Sequence, residues 1–138
     1  MDKAELKHMI LKNENTLVST LGITYEELTP ERVVCNMPVG PKTWQPYGLL
    51  HGGASVALAE TAASVGTAIN INPETHFAVG LEINANHIKA KRDGIVTATA
   101  TPLHKGRTTM VWDIKITDED DKLISISRCT VAIVPHKK

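Results

Sequence analysis

Aromatic side chains are scarce in this chain: two Trp, two Tyr and one Phe among 138 residues. The core must therefore rest on aliphatic and small side chains. Net charge is lacking too, because fifteen Lys+Arg offset fifteen Asp+Glu. A neutral chain projects no long-range field, which argues against nucleic acid or an anionic membrane as its partner. Only two cysteines occur, Cys35 and Cys129, with no C-x-x-C pair. Each sits in an apolar run and reads as a small core residue in a reducing compartment, not a metal ligand or redox group. The charge-poor run Gly52 to Ala59 is too short, and too rich in Gly and Ala, to span a bilayer. The opening MDKAELKHMI lacks the continuous apolar centre of a secretory signal, so the expected location is cytoplasmic.

What is present describes one globular domain over residues 1–138, with hydrophobic residues at 42% and charged residues at 22%. Residues 1–21 form a helical segment: Leu6, Met9 and Ile10 keep helical spacing over about 2–13, and a second short helix spans Glu14–Leu21 before Gly22. Ile23–Leu28 and Arg32–Val39 read as a hairpin around Thr29-Pro30-Glu31. Three prolines and two glycines make 38–50 a loop. Ala54 to Ile69 is the strongest helix, free of proline and rich in alanine, and its small side chains let a sheet approach closely. Phe77–Ile88, Gly94–His104, Thr108–Asp118 and Lys122–Val134 read as strands, the last three as a meander turning at Lys105-Gly106 and Asp118–Asp121. The expected class is α+β, one long central helix wrapped by an antiparallel sheet of about six strands.

Glu60 is the only ionisable residue between Gly52 and Ile69. A charge among Ala, Val and Leu is costly to bury unless it is paired or has a task. Its helical neighbours Val56, Ala57, Ala63 and Ser64 are small, the floor of a ligand site; a stripe that merely faces water is the alternative. His51-Gly52-Gly53 opens the helix, where unpaired N–H groups and the dipole favour a phosphate or a polarised carbonyl, although a Gly pair is also a plain flexible lead-in. Gln45 and His51 flank that opening, and lone loop residues of these types are more often structural.

The run Gln45-Pro46-Tyr47-Gly48-Leu49-Leu50-His51-Gly52-Gly53-Ala54-Ser55, then Ala59-Glu60-Thr61 and Ser64, resembles the signature of hotdog-fold thioesterases. The likeness extends through Leu81-Glu82-Ile83-Asn84 with His87 and Pro102-Leu103-His104-Lys105-Gly106-Arg107, and points to the branch that hydrolyses aryl-CoA thioesters: phenylacetyl-, 4-hydroxybenzoyl- and 1,4-dihydroxy-2-naphthoyl-CoA. It implies Glu60 as nucleophile or general base, the Gly52 N–H as the group that polarises the thioester carbonyl, Gln45 and His51 as positioning groups, and Ser64 as a holder of water or acyl ring. No cofactor or metal is implied, since CoA is part of the substrate.

Gly52 and Glu60 stand eight residues apart on one helix, about 12 Å at 1.5 Å per residue. One carbonyl cannot reach both, so the site is expected to combine two subunits of a homodimer, with a dimer-of-dimers tetramer implied by the resemblance. The CoA end is expected to draw on Lys89, Lys91 and Arg92 in one turn, Gly106, Arg107 and Thr108 in another, and His87. The rival readings are an acyl-CoA hydratase of the same fold and an acyl-CoA sensor without turnover.

Overall fold

The computed structural model describes residues 1–137. In chain order the elements are α1 (Lys3–Lys12), α2 (Leu17–Thr20), β1 (Thr24–Thr29), β2 (Arg32–Pro38), α3 (Gly52–Asn70), β3 (His76–His87), β4 (Ile95–Lys105), β5 (Thr109–Thr117) and β6 (Leu123–Pro135). The six strands form one sheet in the order β1-β2-β4-β5-β6-β3, antiparallel throughout. This is the expected α+β hotdog arrangement.

Local chemistry sets the element ends. Asp2 caps α1 by accepting the Glu5 N–H. Asn13 and Asn15 both take positive φ (44° and 58°), so α2 starts at Leu17, after a reciprocal Thr16–Ser19 capping box, and not at the expected Glu14. Helix α3 begins two residues earlier than its alanine-rich pattern suggests. The cause is His51, whose Nδ1 accepts the Gly53 N–H at 2.7 Å and draws both glycines into the first turn.

Helix α3 lies against the concave face of the sheet and buries Ala54, Ser55, Leu58, Ala59, Ala62, Ala63, Gly66 and Thr67. Facing it are alternate residues of the inner strands, among them Cys35, Met37, Ala98, Trp112, Ile114, Cys129 and Val131. The one large aromatic in this core explains the small residues above it. A Cβ on Gly66 would stand 2.5 Å from Trp112 Cη2, and the Trp112 indole N–H donates to Thr67 Oγ1 at 2.9 Å. Both cysteines are free and buried.

The two sheet edges differ. β1 is six residues long, carries Glu26 and Glu27, and is bulged between Tyr25 and Glu27, the marks of a guarded edge. β3 is twelve residues long, pairs only with β6, and exposes Phe77, Val79 and Leu81. No helix among the described residues is long and apolar enough to cross a membrane.

Candidate active site

The loop before α3 places three polar groups at the helix start. Gln45 Oε1 accepts the N–H groups of Tyr47 and Leu49. That fixes the side chain and leaves its amide NH2 free to donate. Gly48, with φ +77°, permits the tight return. Of the first three N–H groups of α3, Gly53 is capped by His51 Nδ1 and Ala54 donates to the His51 carbonyl. The Gly52 N–H has no acceptor among the described residues, and it sits at the positive end of a nineteen-residue helix. Gln45, Gly52, Ser55, His87 and Lys89 line one cavity of about 300 Å³ there. His87 explains Gly52: a Cβ at that position would lie 2.7 Å from the imidazole Nε2. His51 does not line this cavity, and its ring acts as the helix cap. With Nδ1 accepting, the proton of the neutral ring sits on Nε2.

Glu60 lies two turns further along α3, in a different groove. Gly53, Val56, Ala57, Ser64 and Val65 form its floor, and Leu17, Val18 and Tyr25 stand beside it. The carboxylate is half-buried. Among the described residues it has no hydrogen-bond donor and no cation in ion-pair range. It packs over Gly80 of β3, where a Cβ would stand 2.5 Å from Oε2, beside the bulge between Gly80 and Glu82. The nearby Cys129 thiol is pushed up to about 12, first by burial and then by the negative charges of Glu60 and Glu82, so it stays protonated. The Tyr25 hydroxyl is likewise raised to about 12, by burial and then by Cys35. Ser64 lines the same groove.

One protomer thus brings Gln45, Gly52, His87 and Lys89 together, and separately Glu60 with Ser64. It does not bring the two basic turns together. Lys89, Lys91 and Arg92 precede β4 and Gly106, Arg107 and Thr108 follow it, roughly 30 Å apart along an eleven-residue strand. The lysines have acidic partners: Lys89 pairs with Asp118 at 3.3 Å and Lys91 with Glu119. Lys105 pairs with Glu31. Arg92 and Arg107 are exposed.

One contributor escapes the sequence reading. Gly80 makes room for the carboxylate, and an isolated glycine inside a strand pattern is the signal that marks such a close approach. Ser55, which the motif includes without a role, lines the helix-start cavity and is buried.

The sequence profile of the thioesterase superfamily matches residues 47–125, which include the helix start, Glu60 and His87. The 1,4-dihydroxy-2-naphthoyl-CoA hydrolase of Listeria monocytogenes is 50% identical over 122 residues, 88% of this chain and 98% of its own. A glutamine-to-alanine variant of the thioesterase PA1618 from Pseudomonas aeruginosa superposes with a TM-score of 0.89 at 42% identity, covering 99% of this chain and 96% of that one. The Staphylococcus aureus protein SAV0944, solved as a glutamate-to-alanine variant, gives 0.86 at 48% identity over 88% of this chain and all of the other. With its single long helix cradled in a six-stranded sheet and matches across nearly its whole length, the chain belongs to the thioesterase superfamily and is a hotdog-fold thioester hydrolase.

Proposed function

We propose that the protein hydrolyses acyl-CoA thioesters, aromatic ones among them, at sites shared by two copies of the chain, with Glu60 acting on the thioester carbonyl. One observation carries this reading: the free Gly52 N–H and the unpartnered Glu60 carboxylate belong to one helix yet open into different cavities. Two-fold pairing through the open edge of β3 would set α3 beside its copy and bring Gly52 and Gln45 of one chain toward Glu60 and Ser64 of the other. The same symmetry would place the Arg92 turn of one chain near the Arg107 turn of its partner, a basic rim that neither forms alone. Dimers of this kind can associate further into tetramers.

The relatives support the assignment. The Listeria protein is named for an aromatic acyl-CoA substrate. In SAV0944, called a thioesterase, the glutamine and the glutamate chosen for substitution stand fifteen residues apart, as Gln45 and Glu60 do here.

In the reaction, the Gly52 N–H and the Gln45 amide donate to the carbonyl oxygen and stabilise negative charge as it develops there. Either a Glu60 oxygen attacks the carbonyl carbon, CoA leaves as thiolate and water opens the mixed anhydride, or Glu60 takes a proton from water as that water attacks. Thiolate is a good leaving group, so no strong acid and no cofactor are needed. Ser64 Oγ is placed to hold the water or the acyl group.

Thiol release from benzoyl-, phenylacetyl-, dihydroxynaphthoyl- and hexanoyl-CoA tests this. Turnover by the parent and a loss of about a hundredfold or more in kcat for Glu60→Ala is expected. Binding without turnover would instead establish the sensor reading. Single turnover in oxygen-18 water separates the two routes, since label in the Glu60 carboxylate requires the anhydride.

A further inference from the structure

The groove at Glu60 does not stop at Ser64. Ser64 and Val65 line both that groove and a larger, mostly apolar cavity of about 570 Å³. Phe77 and His136, stacked with ring centroids 5.3 Å apart, also line this cavity. Its outer wall is α1, through Leu6, Met9 and Ile10. These three share one helical face, at spacings of three and four.

Helix α1 is packed unlike a core element. It buries no residue, although its inward face is apolar. Met9 and Ile10 also line a second cavity of about 470 Å³ on their other side, together with Val18 and Tyr25. Val18 and Tyr25 in turn belong to the Glu60 groove. The apolar stripe of α1 is therefore bordered by two cavities, each of which shares lining residues with the Glu60 groove. A helix serving only stability would have its methyl groups in close contact on that face.

We propose that Leu6, Met9 and Ile10 form the distal wall of the acyl pocket and set the size of acyl group the enzyme accepts. The occupant is the apolar acyl portion of a thioester whose carbonyl sits at Glu60; the cavity adjoins the Glu60 groove at Ser64 and Val65, which line both, and that argues for it. The inference rests on the reading of Glu60 given above, and it assigns α1 a task that reading leaves open.

The test is the ratio of affinities for S-octyl-CoA and S-butyl-CoA, thioethers that cannot be hydrolysed, measured by calorimetry on the full chain. The parent is expected to prefer the octyl compound by about tenfold or more, since each buried methylene adds affinity. Ile10→Trp, which fills the cavity, is expected to cut that ratio about tenfold. Ile10→Ala, which enlarges it, is expected to move the preference toward S-dodecyl-CoA. Opposite shifts by two variants cannot come from misfolding, and a ratio is insensitive to lost CoA contacts. Equal octyl and butyl affinities in the parent, no binding of either, or a ratio that both variants leave within twofold would each overturn the proposal. Because nothing is turned over, a protein that binds with this pattern yet fails to release thiol would sink the catalytic reading alone.

Discussion

The carboxylate of Glu60 occupies the space that a side chain on Gly80 would need, with the built Cβ 2.5 Å from Oε2 and 3.3 Å from Cδ. Helix and edge strand meet here without intervening atoms. The expected effect of Gly80→Ala is therefore on chemistry more than on folding. The carboxylate must swing away, and kcat/KM should fall about tenfold or more, since misplacement by an ångström is costly in a positioned site. Gly80 has an ordinary backbone conformation, so the melting temperature should move by only a few degrees. Steady-state kinetics beside a thermal melt would decide it; parental kcat/KM would mean that the carboxylate's seat on β3 is irrelevant to turnover.

The proposal that two chains share each site predicts complementation. Glu60→Ala and Gln45→Ala chains are each expected to be nearly inactive alone. Mixed after partial denaturation and refolded, they should recover about a quarter of parental activity, because half of randomly formed dimers are mixed and each mixed dimer holds one intact site. Activity that stays at the sum of the two variants would place the whole site within one chain.

Beneath α3, Thr67 accepts from the indole of Trp112 and donates to the Ala63 carbonyl, both at 2.9 Å. Thr67→Val keeps the shape and removes the acceptor. A buried N–H then goes unpaired, and unfolding in urea should show a loss of about 1–3 kcal/mol. A smaller loss would mean that Trp112 finds another partner.

Asp118 makes the β5–β6 turn sensitive to acid. The Lys122 N–H holds its carboxyl below the usual range, with the Asp120 N–H and Lys89 adding to the effect against the opposing cost of burial. A carboxyl depressed by folding stabilises the native state above its unfolded value, near pH 4, and that contribution fades as pH falls through the folded value. Asp118→Asn keeps the acceptor for both N–H groups and removes the charge. Its melting temperature should fall less between pH 6 and pH 3 than the parent's does. Equal slopes would assign the acid sensitivity to other carboxylates such as Glu119.

The fold was legible where a local signal existed. Composition marked α3, and Gly and acidic turns bounded the strands to within a residue or two. The order of the strands was not legible, because nothing local in His76–His87 says that it crosses to the far side of β6 while β2 pairs with β4. At the site, the motif from Gln45 to Ser64 supplied the candidates, and its family likeness implied a role for each. That His51 caps the helix, and that Gly53 and Ala54 already have acceptors while Gly52 has none among the described residues, emerges only from a hydrogen-bond account of the helix start. The two basic turns were legible as separate turns with a strand between them, but the acidic partners of Lys89, Lys91 and Lys105 were not, since those pairs join residues far apart in sequence.

The long, partly apolar edge of β3 bears on the newly made chain. Each copy that folds presents twelve residues of backbone with one side unpaired and apolar side chains along it. It is a template that every other copy can read. If copies pair there as proposed, assembly and aggregation compete for the same surface, and dilution lengthens the time spent exposed to both. In a cell the rate of synthesis becomes a structural variable, and a variant that slows docking could lose yield without losing any contact inside the folded chain.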